Sequence, residues 1–287
     1  MIKKLLALVF LAGLIAILLL AFFYWKFYIQ LQPKPFDRSE VYRGVFYESG
    51  IWTDSATGSG KYILAEIHLD EPGVSFFIRP FRPQATGKRH YTLMPVDLLR
   101  RETDAEVMMN GTLYSPHEWY QSFPGMSVNS LETLVVAGRV SHIDPKTYLL
   151  WFDESMNVHL ETRSRPTPEA LEQAYWGIGM QAFLVNNGEL NWGSFLNNDT
   201  QTRRTLIGVD PEARILWLMA FENISPAGLG IFAIDKGVKL GGQLDAEEAT
   251  TLVLGENPRG VPSYTGLRGM RPLACVIGIQ AQPITRN

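Results

Sequence analysis

Residues 5–25, LLALVFLAGLIAILLLAFFYW, contain no charged side chain and one glycine among hydrophobic residues. Such a run has no polar face to turn to water, so it cannot lie on the surface of a folded domain. As a helix it would extend about 31 Å at about 1.5 Å per residue, enough for a bilayer core of about 30 Å. Lys3 and Lys4 precede it, Lys26 follows it, and Phe22, Phe23, Tyr24 and Trp25 form an aromatic collar at its outer end. Such rings favour the membrane–water interface. The run is longer than a signal-peptide core of about 7–15 residues, and it ends in bulky rings rather than a small-x-small cleavage site. An uncleaved anchor is expected. The basic residues before the span orient it with a cytoplasmic N-terminus and a periplasmic or extracellular main domain. The expected plan is a single-pass membrane protein with an anchor over 1–29, a linker over 30–43 and one domain over 44–285. Pro33 and Pro35 stiffen the linker.

The remaining chain excludes several function classes. The whole chain's 26 basic and 29 acidic residues give a net charge of −3, against a nucleic-acid binder dominated by phosphate contacts. One cysteine excludes an intramolecular disulfide and a Cys-rich zinc site. His68, His90, His117, His142 and His159 have no helix-face metal spacing, so no metal is expected. Gly58-Ser59-Gly60-Lys61 has only the end of a phosphate-loop pattern, with Ser55 and Tyr62 at positions that need Gly and Ser or Thr. There is no Gly-x-Ser-x-Gly elbow, and Cys275 lies in an apolar run that reads as core. No cofactor is expected.

The dominant local signal is strand. Tyr62–Leu69 and Val74–Phe81 flank a turn at Asp70-Glu71-Pro72-Gly73. Hairpins are predicted around Ala137-Gly138-Arg139, Asp153-Glu154-Ser155 and Asp210–Arg214, and Phe183–Val185 runs into Asn187-Gly188, a strong turn signal. Val107–Met109 and Cys275–Ile279 read as further strands. Helices are few. Thr167-Pro168-Glu169 opens one, with a capping residue and a proline at the first position. A second is expected over Gly230–Leu240, closed by Gly241-Gly242. The class is α+β, mostly antiparallel or mixed sheet with a few covering helices behind one N-terminal transmembrane helix.

Four segments occur in a meaningful order: Val107–Tyr114 with Asn110-Gly111-Thr112; Gly179–Val185 followed by Asn187-Gly188; Arg204-Thr205-Leu206-Ile207-Gly208-Val209; and Leu240-Gly241-Gly242-Gln243-Leu244-Asp245 followed by Ala246-Glu247-Glu248-Ala249. Together they resemble the phosphodiester glycosidase family, whose pattern runs Asn-Gly-Gly-Phe-Phe, an apolar strand with a turn, Arg-Thr-Ala-Ile-Gly, and Leu-Asp-Gly-Gly-Gly-Ser. The resemblance covers about residues 60 to 280. It implies hydrolysis of a sugar–phosphodiester linkage, with Asn110, Arg204 and Asp245 as catalytic candidates. Arg can hold a phosphate by two parallel hydrogen bonds, Asp can serve as acid, base or nucleophile at an anomeric carbon, and Asn can bind hydroxyls or orient a carboxylate. Gly111, Thr112, Thr205, Glu247, Glu248 and His117 are candidate substrate-binding residues.

The chain departs from the pattern at two places. Thr112 replaces the second glycine after Asn, and Ala246-Glu247-Glu248-Ala249 replaces Gly-Gly-Gly-Ser. Ala and Glu restrict the positive φ that an anion-binding nest uses, and two carboxylates oppose a bound phosphate. Three readings stay open: an exported hydrolase with a modified, less anionic substrate, a catalytically degenerate module that binds envelope glycan or a partner protein, or a purely structural anchor domain in which Asn110, Arg204 and Asp245 match by accident. Local readings stay open as well. Asp245–Glu248 fits a helix capping box, Asn110-Gly111 fits a turn, and Arg204 fits a surface ion pair. Trp119, Tyr120, Trp176 and Trp192 fit either sugar stacking or ordinary packing.

Overall fold

The computed structural model describes residues 2–24, 34–54, 58–81, 91–115, 122–146, 148–162, 166–194, 200–255, 259–261, 266–269 and 271–284. Ile2–Tyr24 forms a helix. The side chains described in it are those of Lys4 and residues 9–22, and all are exposed. Among the described residues, no helix is long and apolar enough to cross a membrane. The expected span is therefore not shown by these residues.

The rest is built on antiparallel sheets. The largest has eight strands in the order Phe36–Tyr42, Val45–Asp54, Gly58–His68, Ile215–Ile224, Thr202–Asp210, Leu240–Gln243, Ala182–Asn186 and Glu189–Leu190. A second has Gly266–Leu267, Leu252–Leu254, Val107–Asn110, Cys275–Gln280 and Ser75–Pro80. A third has Arg139–His142, Leu134–Val136, Trp176–Met180, Tyr148–Phe152 and Val158–Glu161. Tyr91–Thr92, Ser127–Ser130 and Tyr114–Ser115 form a small three-stranded sheet.

The three large sheets share one core. Ile207 and Leu218 from the first, Met109 and Ile277 from the second, and Leu150 and Ile178 from the third belong to a single buried cluster. Phe76 and Phe152, from the second and third sheets, meet at 4.6 Å between ring centroids. Each outer face lies under its own helix. Pro226–Asp235 covers Leu206, Met219 and Phe221; Val96–Thr103 covers Met108 and Val276; Pro168–Gln173 covers Leu149 and Trp151. This explains the unbroken apolar run of Ile215–Phe221. Leu216, Leu218 and Ala220 face the shared core, while Trp217, Met219 and Phe221 face the helix. Successive strand residues point to opposite faces, so a strand between two cores is apolar throughout.

The predicted hairpins around Ala137-Gly138, Asp153–Ser155, Asn187-Gly188 and Asp210–Arg214 all form, each as an antiparallel pair. Other expectations change. The strands flanking Asp70–Gly73 pair in different sheets, so that turn is a crossing between sheets. Residues 36–42 of the expected linker form an edge strand paired with Val45–Asp54. The second helix runs over Pro226–Asp235 instead of Gly230–Leu240, because Ser225 caps it: its Oγ accepts from Gly228 N–H at 3.1 Å, with Pro226 at the first position. It ends where Gly237 N–H donates to Ile234 O and Val238 N–H to Ala233 O, a paired C-terminal cap. Leu240–Gln243 is then a strand between two others. Gly242 belongs there because a Cβ would stand 2.5 Å from both Ala182 O and Met180 Sδ. The Thr167 cap forms as predicted, with Oγ1 accepting from Ala170 N–H at 3.2 Å.

Candidate active site

Asn110 ends a strand of the second sheet and reaches the first. Its Nδ2 donates to Thr205 Oγ1 at 3.0 Å and to Asp245 O at 2.8 Å, while Thr251 N–H donates to its Oδ1 at 2.9 Å. Thr205 Oγ1 donates to Asp245 O at 2.7 Å. All four residues are buried. The Asn110 amide is thus committed on both sides to the protein. It does not form a simple turn, and although Asn110-Gly111-Thr112 has the form of a glycosylation sequon, the buried amide is closed to glycosylation in the folded chain. Its effect is to fix the backbone at Asp245. Gly111 serves packing: a Cβ there would stand 3.0 Å from Cys275 Sγ. Its N–H donates to Cys275 O at 2.9 Å, and its carbonyl accepts from Asp245 N–H at 3.4 Å. Burial pushes the Cys275 thiol up to about 12, consistent with an inert core position.

With its backbone fixed, the Asp245 side chain is 3% exposed. Its Oδ1 accepts from Ala246 N–H at 2.9 Å, while Oδ2 has no hydrogen-bond partner. Burial pushes the carboxyl up to about 7; the Arg271 charge and the Ala246 N–H pull the other way, and Glu247 and Glu248 add to the rise. The capping-box reading fails. The turn over Glu247–Ala249 is a short 3-10 helix whose cap position is Ala246, and no side chain caps it.

Two buried residues that sequence reasoning did not single out lie within charge range of Asp245. Arg271 is 7% exposed, and its Nε and Nη2 have no partner. Those two atoms form the edge of a guanidinium that grips a carboxylate or phosphate through two parallel bonds. Its Cζ lies 4.6 Å from the Tyr114 ring centroid, and Tyr114 Oη donates to Pro272 O at 2.6 Å. Glu132 is 2% exposed; its Oε2 accepts from Leu113 N–H at 2.9 Å and its Oε1 has no partner. Burial raises the Glu132 carboxyl well above its ordinary value, opposed by Leu113 N–H and reinforced by Asp245 and Asp144. Glu132 sits in the mixed run Ser130-Leu131-Glu132-Thr133, and Arg271 has no motif around it in that reading. Burial made both visible, and burial of a lone charged residue leaves no periodic mark on a sequence.

Arg204 sits elsewhere. It is consecutive with Thr205 on a strand, so it points to the opposite face of the sheet. It is 3% exposed, and its partners are neutral oxygens. Nε donates to Ile224 O at 2.9 Å, Nη1 to Gln243 Oε1 at 2.8 Å and Nη2 to Thr200 O at 2.6 Å. Burial lowers its pKa to about 10, opposed by Glu247. This is a clamp on three chain segments, neither a surface ion pair nor an open fork. Gln243, which sequence reasoning also passed over, links the clamp to Gln181 through Nε2–H donated to Gln181 Oε1 at 3.0 Å.

The other candidates divide. Thr112 is buried with its Oγ1 3.2 Å from Ser130 Oγ. Glu247 is exposed and Glu248 half-buried. Glu247 has φ +56°, so this loop keeps a left-handed residue where the family pattern has glycine. Trp176 packs edge-on against Tyr175, and Trp192 is exposed. His117, Trp119 and Tyr120 lie outside the described residues. Among the described residues, no three His, Cys, Asp or Glu side chains gather as a metal site.

No family model and no curated protein matches this sequence. Solved structures do. The chain superposes with a TM-score of 0.62 on the catalytic domain of zebrafish N-acetylglucosamine-1-phosphodiester alpha-N-acetylglucosaminidase, auto-inhibited by its pro-peptide, at 17% identity over 87% of each chain. It superposes on a Synechocystis protein with a TM-score of 0.56 at 13% identity, over 83% of this chain and 62% of that one. A Burkholderia pseudomallei protein described as exported gives 0.52 at 9% identity, over 78% and 74%. At these identities the likeness is one of fold.

Proposed function

We propose that the chain is a glycosidic-bond hydrolase of the phosphodiester glycosidase type, acting on a sugar phosphodiester or a related envelope glycan. The observation that carries this reading is Asp245, a carboxyl fixed by the Asn110–Thr205 lattice, buried, with one oxygen unpartnered and titrating at about 7. A carboxyl in that range exists in both protonation states near neutral pH, as acid–base work at an anomeric carbon requires. The free edge of Arg271 beside it suits an anionic group or a row of hydroxyls. The fold shared with a glycosidase domain supports the reading without choosing a substrate.

The test is sugar release by the full chain in detergent from a panel of sugar-1-phosphodiesters and aryl glycosides. Asp245→Asn should lower turnover by about 100-fold or more. An unchanged rate in that variant removes Asp245 from the mechanism. A second reading, glycan or partner binding without turnover, is favoured by the acidic loop at Glu247 and Glu248, which opposes a bound phosphate. Folded protein with saturable glycan binding and no release across the panel would select it.

We also infer that residues 5–25 anchor the chain, with the N-terminus cytoplasmic and the sheets periplasmic or extracellular. The uncharged run and the lysines before it support this, as does the shared fold with a protein described as exported. Alkaline extraction of cells producing the full chain should leave it in the membrane pellet. Recovery of the intact chain in the supernatant overturns the anchor.

A further inference from the structure

Glu132 has no task in the phosphodiester reading, yet its position is heavily constrained. An unpartnered carboxyl oxygen in a residue 2% exposed costs stability, so its retention calls for a reason. Ser130 holds its backbone from both sides: Ser130 Oγ donates to Glu132 O at 2.9 Å, and Glu132 N–H lies 3.3 Å from the same Oγ. Leu113 N–H holds Oε2. Two residues earlier on that segment, the Gly111 carbonyl meets Asp245 N–H. Both carboxyl-bearing residues are thus fastened to one short stretch, at positions separated by at most about 7 Å of chain.

Their surroundings differ in sign. Arg271 offsets the burial of Asp245, whereas the charges bearing on Glu132 are the carboxylates of Asp245 and Asp144. The other titratable groups around the pair are Glu247 and Glu248 beside Asp245, Tyr114 beside Arg271, and the Cys275 thiol beside Glu132. Burial raises both carboxyls, and the Arg271 charge favours ionisation of Asp245 alone, so Asp245 is the one placed to take up a proton as base and Glu132 the one placed to hold its own.

We propose that Glu132 is the proton donor of a two-carboxyl site, and that this site cleaves an ordinary glycoside with an alcohol leaving group. This rests on the reading of Asp245 as the base of a glycosidic hydrolase. A phosphate departs as a stable anion and gains little from a proton donor. An alkoxide is far more basic and must be protonated as it leaves. The acidic Glu247–Glu248 loop, adverse to a phosphate, does not oppose a neutral sugar. In the step, a water oxygen bonds to the anomeric carbon and gives its proton to Asp245. The bond from that carbon to the aglycone oxygen breaks with its electron pair staying on the oxygen, which takes the Glu132 proton. One water is consumed, a free sugar and an alcohol are released, and the proton on Asp245 returns to Glu132 through solvent.

The experiment is a leaving-group series on the full chain in detergent. It uses glycosides of one sugar from dinitrophenyl to methyl, plus the 1-phosphodiester of that sugar. The wild-type rate should depend weakly on leaving-group basicity. Glu132→Gln, which keeps an oxygen for Leu113 N–H, should lower kcat/KM on the methyl glycoside by about 100-fold or more, spare the dinitrophenyl glycoside, and lose the alkaline limb of the pH profile. A steep wild-type dependence, a uniform effect of Glu132→Gln across the series, or turnover confined to the phosphodiester overturns the assignment while leaving the hydrolase standing. Absence of release from every substrate overturns both. The wild-type series needs no variant, so a Glu132→Gln chain that fails to fold does not remove the test.

Discussion

At Asp245 the folded chain holds a proton that the unfolded chain has already given up. Its carboxyl moves from 3.8 to about 7 on folding. Between those values the native state binds the extra proton, so stability falls as pH rises through the window and levels off above it. At about 1.4 kcal/mol per unit, the effect is on the order of 4 kcal/mol. Asp245→Asn places a neutral group of the same shape there at every pH. The variant should melt well above wild type at pH 8 and near it at pH 4; coincident melting at pH 8 would mean the carboxyl is not desolvated. Glu247 presents a separate strain, since a left-handed residue with a Cβ costs about 1 kcal/mol or more. Glu247→Gly should raise unfolding stability by up to about 1 kcal/mol, read as a higher denaturant midpoint at unchanged m. Asn110, Thr205 and Asp245 were legible because a resemblance in order and spacing pointed to them. Arg204 was legible by the same route, yet the face it points to follows from strand phase, which a motif does not record. Glu132, Arg271 and Gln243 became visible only once their surroundings were in place.

Among the elements, turn chemistry carried the most information. Asn187-Gly188 and Ala137-Gly138 each close a hairpin, since each demands a backbone geometry that few dipeptides tolerate. The Gly241-Gly242 pair misleads for the opposite reason: it looks like a helix stop but serves close strand packing. Gly242→Ala would drive a methyl group into Ala182 O, a backbone atom that cannot step aside. That variant should lose more than about 2 kcal/mol, read from chemical denaturation; a loss under about 0.5 kcal/mol would mean the strands can part locally. Ser225-Pro226 carried the true start of the second helix in plain sight. Ser225→Ala should cost about 1 kcal/mol by the same measurement.

For the whole molecule, three sheets share one interior, and each wears a single helix on its outer face. Much of the strand content was readable from apolar runs and turns, but Phe36–Tyr42 read as linker, Val45–Asp54 went unread and Leu240–Gln243 read as a helix end; the assignment of strands to sheets was not readable, because pairing between distant segments leaves no local pattern. Ile215–Phe221 sits deepest in this arrangement, with a paired strand on each edge and a packed core on each face. Neither fraying nor the lifting of one helix uncovers its amides. In heavy water this strand should therefore be the last to take up deuterium, at a rate set by opening of the entire sheet, so it can serve as an internal clock against which every looser part of the chain is timed.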